Sequence, residues 1–324
     1  MSGNRVAPDG QAIDELVAPL RSAEGGFAML ALDQRESLRQ MFPLVDGDEV
    51  GDDSLRRFKD MATRVLSPLA SAVLLDRPYA VTDARPAGLA PSKSLILAAD
   101  VLDQPRGQGV ITTTLDPAVT PEFVRRVGAA AVKLLVIWRP DEGGEERTRL
   151  VLSFLDVARA AGVPSLVEAV VRPAIGGEWD GPDARHEAIL QAAREVSTLG
   201  GTIYKAELPG YLPGDVSRVR EHAERMSAIV PVPWVVLSNG VDRPDFAPGV
   251  REACLGGAEG FLAGRAIWGD TVADPDTFGA LSQRSVDRLR ALTAIVAESS
   301  RSRGPRGQAL QAPGSDAEAE GVRR

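Results

Sequence analysis

The chain is short of thiols and imidazoles: 324 residues carry one cysteine and two histidines. Cys254 has no second thiol in the chain to pair with, which excludes an internally disulfide-stapled fold. It is expected as a small buried residue near a helix end rather than a nucleophile. His186 and His222 stand in no ligand-spaced motif and are expected on helix surfaces, so neither a metal site nor any other cofactor is expected. No apolar run approaches the roughly 18 to 20 residues needed to span a bilayer. The opening "MSGNRVAPDGQAIDEL" lacks the apolar centre of a signal peptide, and a cytoplasmic location is the expectation. A net charge of −8 speaks against nucleic acid or an anionic membrane as the main partner. A small anion held by a local group of arginines remains compatible with that charge.

The composition, 44% hydrophobic and 25% charged, is that of an ordinary globular protein. Eight short apolar runs recur: 27–32, 72–75, 94–99, 131–138, 165–171, 202–208, 233–238 and 260–264. They are continuous rather than alternating, which suits parallel strands covered on both faces. Helical patterning separates several of them. Leu150, Phe154, Val157, Ala158 and Ala161 share one helical face. Asp183 is the expected N-cap of a helix through Ile189, Leu190 and Ala193 that ends at Gly200–Gly201, and Pro244 is expected to open a helix closed by Gly256–Gly257. This alternation predicts an α/β fold of one kind, a single (β/α)8 TIM barrel over 23–298. A leader or helix over 1–22 and a polar, disordered tail over 299–324 are expected to flank it. The rival, a doubly wound sheet with a dinucleotide site, lacks a G-x-G-x-x-G after an early strand.

Barrel enzymes place their chemistry at the C-terminal strand ends. Asp33, Asp76 and Asp100 follow the first three runs, and the last two are expected as caps or turn formers. Lys133, Glu168 and Lys205 lie inside the next three, where charge is costly unless paired. Such a lysine suits Schiff-base formation with a ketone. The nucleophile is a neutral amine, and burial together with a neighbouring ammonium favours that form. Lys205 is read as the nucleophile, Lys133 as its cationic neighbour, and Glu168 and Asp33 as proton-transfer carboxylates whose order stays open. The turns "LSNG" (237–240) and "LAGR" (262–265) offer Ser238, Gly240, Gly264 and Arg265 to an anion, in the two loops where this fold frequently binds phosphate.

"GGFAMLALDQRESLRQMF", "AVKLLVIWRPDE", "EAVVRP", "YKAELP", "PWVVLSNGVD" and "GFLAGRAIWGD" resemble the class I, Schiff-base aldolases related to tagatose-1,6-bisphosphate aldolase. The resemblance spans residues 20 to 297 and is strongest to the sulfofructosephosphate aldolase branch of sulfoquinovose breakdown. It implies cleavage of 6-deoxy-6-sulfofructose 1-phosphate to dihydroxyacetone phosphate and 3-sulfolactaldehyde, with Lys205 as the Schiff-base residue. It also implies that Asp33, Lys133 and Glu168 stand at catalytic positions, and that Ser238, Gly264 and Arg265 bind oxyanions. Gln34 and Arg35 are expected to help hold the substrate's other anionic end. Glu36 stands where tagatose-type enzymes tend to have glycine, which favours the sulfosugar branch, while Asn239 replaces an expected small residue. A tagatose or fructose 1,6-bisphosphate aldolase of the same mechanism is the alternative. A non-catalytic barrel holding a sugar phosphate through Arg265 and Ser238 is a third reading, and it leaves the two lysines without a purpose. Barrels of this kind often associate, so a homo-oligomer is expected.

Overall fold

Each of the eight apolar runs forms a strand in the computed structural model, which describes residues 12–302. They are β1 (Phe27–Ala31), β2 (Ala72–Leu75), β3 (Ser94–Ala98), β4 (Ala129–Trp138), β5 (Ser165–Val171), β6 (Ile203–Ala206), β7 (Trp234–Val236) and β8 (Gly260–Ala263). All neighbours are parallel, and the sheet closes where Phe27 of β1 pairs with Gly260 of β8. β5 shows why the runs are continuous: every residue of "SLVEAVV" is buried, one face toward the barrel interior and the other toward the helices. The expected leader residues 1–11 and the tail beyond 302 lie outside the described residues. The final helix, Val286–Ser302, runs past the expected boundary at 298.

The outer ring includes helices Asp52–Leu66, Gly144–Ala161, Gly181–Ser197, Val219–Ile229 and Arg243–Leu255. Pro244 opens the last of these and Gly256 follows it, as expected. The helix Gly181–Ser197 starts earlier than the sequence suggests. Pro182 sits in its first turn, pre-set for helical φ, and Asp183 pairs with Arg218 at 2.7 Å instead of capping. It also ends earlier, at Ser197, where the Thr198 hydroxyl donates back to the Arg194 and Glu195 carbonyls. Among the described residues no helix is long and apolar enough to cross a membrane.

Cys254 is buried, as expected, but the histidines are not on helix surfaces: His186 and His222 are 1% and 4% exposed. His186 precedes Ile189, Leu190 and Ala193 at spacings that place it on their buried stripe, and His222 shares a face with Val219, Ala223 and Met226. The two rings meet with centroids 5.2 Å apart. Burial first, then the charges of His222, Arg185 and Arg218, pushes His186 down to about 4. Its folded value lies below the unfolded one near 6.5, so the unfolded chain takes up the proton first as pH falls. Stability is therefore lost between about pH 6.5 and 4, by up to roughly 3 kcal/mol from this group. Urea midpoints measured across that window should show a shallower acid slope in His186→Phe than in the parent, and equal slopes would contradict the assignment.

One element was not anticipated. Between β3 and β4 the chain forms an antiparallel ribbon, Asp100–Asp103 with Thr112–Leu115. Its tip residues Gln104, Gly109 and Val110 stand over the barrel mouth and line the pocket there.

Candidate active site

Strand parity sets the site. Alternate residues of β4 (Lys133, Leu135, Ile137) and of the β5 segment (Glu168, Val170, Arg172) line one pocket at the C-terminal mouth. Register places Glu168 directly beside Lys205 of β6 and beside Leu135 of β4. Asp33 and Gln34 enter from the end of β1, and Asn239 and Arg265 from the turns after β7 and β8.

The two buried lysines differ in surroundings. Lys133 Nζ donates to Asp33 Oδ2 at 2.9 Å and Asp100 Oδ2 at 3.2 Å, and pairs with Glu168 Oε2 at 2.7 Å. Lys205 Nζ donates to that same Glu168 oxygen at 2.9 Å and, among the described residues, has no second carboxylate in ion-pair contact. Burial works against charge on Lys133, but Asp100, Asp33 and Glu168 outweigh it and hold its ammonium far above the usual range. Burial likewise pushes the Asp33 carboxyl up, and the charges of Lys133, Lys205 and Arg35 override it, holding Asp33 well below the usual carboxylate range. Lys133 is therefore a locked cation and Asp33 a locked anion. Glu168 bridges the two amines.

The network continues away from the pocket. Asp100 also accepts from the Leu135 amide at 2.9 Å and from Arg35 Nη2 at 3.0 Å. Arg35 Nε lies 3.9 Å from Asp76, which in turn pairs with buried Lys59. Lys59, Arg35, Lys133 and Lys205 thus face Asp76, Asp100, Asp33 and Glu168, four cations and four carboxylates.

Several expectations change. Asp100 is not a cap but one wall of the lysine cage. Asp76 does form a turn, accepting from the Tyr79 amide at 3.2 Å, and additionally neutralises Lys59. Arg35 does not face the pocket: its guanidinium is held by Asp100 and Asp76, whose combined charge binds it more strongly than a solvated anion can. Gln34 does reach the pocket, and its buried Oε1 has no hydrogen-bond partner there. Ser238 is half-buried beside the pocket, and its neighbour Asn239 lines it instead. Arg265 Nη2 donates to Asn239 Oδ1 at 2.5 Å. Gly264 permits a close approach, since a Cβ there would lie 2.4 Å from the Ala31 carbonyl of β1. Gly240, with φ +74°, turns the chain in the left-handed region and lines a neighbouring cavity.

Residues missed from the sequence had signals. Arg172 lies four residues after Glu168 on the same inward row. Lys59 shares with Leu55, Ala62 and Leu66 the buried stripe of its helix, an apolar face that marks it as internal. Glu207, 1% exposed just past β6, accepts from Arg185 at 2.7 Å and from the Val171 amide at 2.8 Å, tying the β5 and β6 loops together.

Chemically, the pocket combines an amine with a single shared carboxylate, a fixed ammonium, a fixed carboxylate and two guanidiniums. That set can bind an anionic carbonyl compound and move protons beside it. Among the described residues no group of three or more His, Cys, Asp or Glu is arranged to hold a metal ion.

Comparison with known proteins agrees with this chemistry. Tagatose 1,6-diphosphate aldolase of Listeria monocytogenes serotype 4b is 28% identical over 283 residues, covering 78% of this chain and 80% of that one. Tagatose 1,6-diphosphate aldolase 2 of Streptococcus pyogenes serotype M3 is 25% identical over 276 residues, covering 78% and 83%. In fold, an archaeal fructose 1,6-bisphosphate aldolase superposes with a TM-score of 0.60 at 18% identity, covering 88% of this chain and 99% of that one. The Plasmodium falciparum fructose-bisphosphate aldolase superposes with a TM-score of 0.65 at 13% identity, covering 90% and 96%. The profile of the DeoC/LacD family aldolases matches residues 27–270, nearly the whole barrel, and the chain belongs to that family of carbon–carbon lyases.

Proposed function

We propose that Lys205 forms a Schiff base with the C2 carbonyl of a ketohexose 1-phosphate, and that the preferred substrate is 6-deoxy-6-sulfofructose 1-phosphate, cleaved to dihydroxyacetone phosphate and 3-sulfolactaldehyde. The inequality of the two lysines carries this reading: three carboxylates cage Lys133, whereas Lys205 has one, shared, and lies in the pocket.

The chemistry follows from the contacts. Lys205 passes a proton to Glu168, and the neutral amine adds to C2, giving a carbinolamine; Glu168 returns that proton to the carbinolamine hydroxyl, which leaves as water to form the iminium and restores the Glu168 carboxylate. Glu168, bonded to both lysine nitrogens, then takes the C4 hydroxyl proton. The C3–C4 bond breaks, its electrons form the enamine, and the aldehyde half leaves. Protonation at C3 and addition of water to the iminium free dihydroxyacetone phosphate and regenerate the amine. Asp33, locked as an anion, is a poor proton donor and serves instead as a fixed hydrogen-bond acceptor for substrate hydroxyls and a counter-charge to Lys133. Arg265 and the turn at Gly264 are assigned to the phosphate of the ketone half, in the loops where barrels frequently bind phosphate.

The sulfosugar branch is favoured by the sequence resemblance at Glu36, which itself pairs with Arg39 at 3.1 Å. The names of the Listeria and Streptococcus relatives favour a second reading, tagatose 1,6-bisphosphate, with the same mechanism. A sulfonate carries one charge where a phosphate carries up to two. Release of dihydroxyacetone phosphate from 6-deoxy-6-sulfofructose 1-phosphate, tagatose 1,6-bisphosphate and fructose 1,6-bisphosphate, measured side by side, separates them. The sulfosugar should show the highest kcat/KM, and a bisphosphate ahead by tenfold or more replaces it.

A further inference from the structure

We infer that Arg172 is the specificity-determining residue for the second anionic group of the substrate, the phosphate or sulfonate borne by the aldehyde half. The inference rests on the aldolase reading above and deepens it.

Arg172 continues the inward row of β5 past Glu168 and Val170, and its amide extends the ladder by donating to the Trp138 carbonyl at 2.9 Å. At about 3.3 Å per residue, its Cα stands roughly 13 Å further toward the mouth than that of Glu168. A long side chain from that position covers the outer end of the pocket, opposite the amine at the inner end. Arg172 donates to the Val171 carbonyl at 3.0 Å and, among the described residues, forms no ion pair, in contrast to Arg35 and Lys133. Arg265 is in the same position, bonded to a neutral amide oxygen. Burial disfavours charge on both and leaves each below the usual guanidinium range, although Glu207 partly offsets this at Arg172 and Glu168 and Asp33 at Arg265; Arg139 and Arg185 repel Arg172, and Arg172 repels Arg265. Two buried guanidiniums in one pocket, neither in ion-pair contact with a carboxylate among the described residues, are relieved by a ligand with an anion at each end.

Space points the same way. The inner pocket measures about 130 Å³, below the roughly 300 Å³ at which small-molecule sites begin. A second cavity of about 400 Å³ lies alongside, between the loops after β5, β6 and β7, and the two share Arg172 and Asn239 as their common wall. A six-carbon substrate bound at Lys205 therefore extends outward to that wall. The ribbon fixes the other side of Arg172: a Cβ on Gly109 would lie 3.0 Å from its Nη2.

The test uses the full chain and three substrates: 6-deoxy-6-sulfofructose 1-phosphate, fructose 1,6-bisphosphate, and fructose 1-phosphate, which lacks the second anion. Arg172→Gln should reduce the ratio of kcat/KM for the better two-anion substrate to that for fructose 1-phosphate by roughly 10- to 100-fold, mainly through KM. Arg172→Lys should recover part of it, and Gly109→Ala should shift it a fewfold in the same direction. Arg265→Gln should weaken all three substrates together. Which two-anion substrate loses more identifies sulfonate or phosphate as the group held. An unchanged ratio in Arg172→Gln, with the borohydride-trapped dihydroxyacetone phosphate adduct intact, overturns the assignment of Arg172. Absence of that adduct in the parent enzyme overturns the aldolase reading itself.

Discussion

Lys205→Ala should lower cleavage by at least about 10⁴-fold, a loss of roughly 5 kcal/mol of transition-state stabilisation, because no other amine in the pocket is free to attack. Lys133 is the only other lysine lining it, and three carboxylates hold that one as an ammonium. The variant should still fold, since Glu168 retains its contact with Lys133 at 2.7 Å and the deletion leaves a cavity rather than an orphaned charge. Borohydride reduction in the presence of dihydroxyacetone phosphate should add mass to the peptide carrying Lys205 in the parent and nowhere in Lys205→Ala. Near-normal cleavage by the variant, or an adduct on Lys133, would sink the mechanism.

The second large effect falls on stability. Lys133→Met removes the cation around which Asp33, Asp100 and Glu168 converge, leaving three buried carboxylates with reduced compensation. Breaking a buried ion cluster from one side costs about 3–5 kcal/mol, here roughly 10 °C in melting temperature for a chain of this size. The pH dependence gives the cause away. In the parent, Asp33 is held below its usual range, so its contribution is present above the unfolded value near 4 and is lost as pH falls below it. In Lys133→Met the largest charge opposing burial at Asp33 is gone, and burial then raises the folded Asp33 value above the unfolded one. The variant then gains stability as pH drops toward about 5, and its deficit against the parent narrows. Urea midpoints at pH 8, 7, 6 and 5 read this directly. A deficit constant over that range would mean that packing, not charge, accounts for the loss.

Much of the fold was legible because parallel strands covered on both faces need unbroken apolar runs. "AVLL" and "SLVEAVV" became strands with the expected ends. The ribbon escaped notice because "DVLDQPRGQGVITTTL" is largely polar and its exposed strands show no apolar run to mark them. Lys133, Glu168 and Lys205 could be read as a convergent group since charge inside an apolar strand is too costly to be incidental. Asp100 was misread for the opposite reason: an aspartate at a strand end looks like any turn former until the ribbon folds it back onto Lys133. Arg35 shows a further limit. Its position in the sequence, beside Asp33, suggested the pocket, and only the three-dimensional placement of Asp76 and Asp100 reveals where its charge goes. The histidines failed because the sequence gives a helix's apolar stripe but not which neighbouring helix will cover a polar ring.

The closure of the sheet has a bearing on biosynthesis. β1 takes β8 as its partner on one edge, with Phe27 beside Gly260, so more than two hundred residues must be translated before that edge is satisfied. At about 5–20 residues per second, "FAMLA" waits roughly 10 to 50 seconds on the ribosome with one row of amides and carbonyls open. A nascent chain stalled before residue 260 therefore holds an unclosed sheet with an aggregation-prone margin, whatever the state of its amine chemistry.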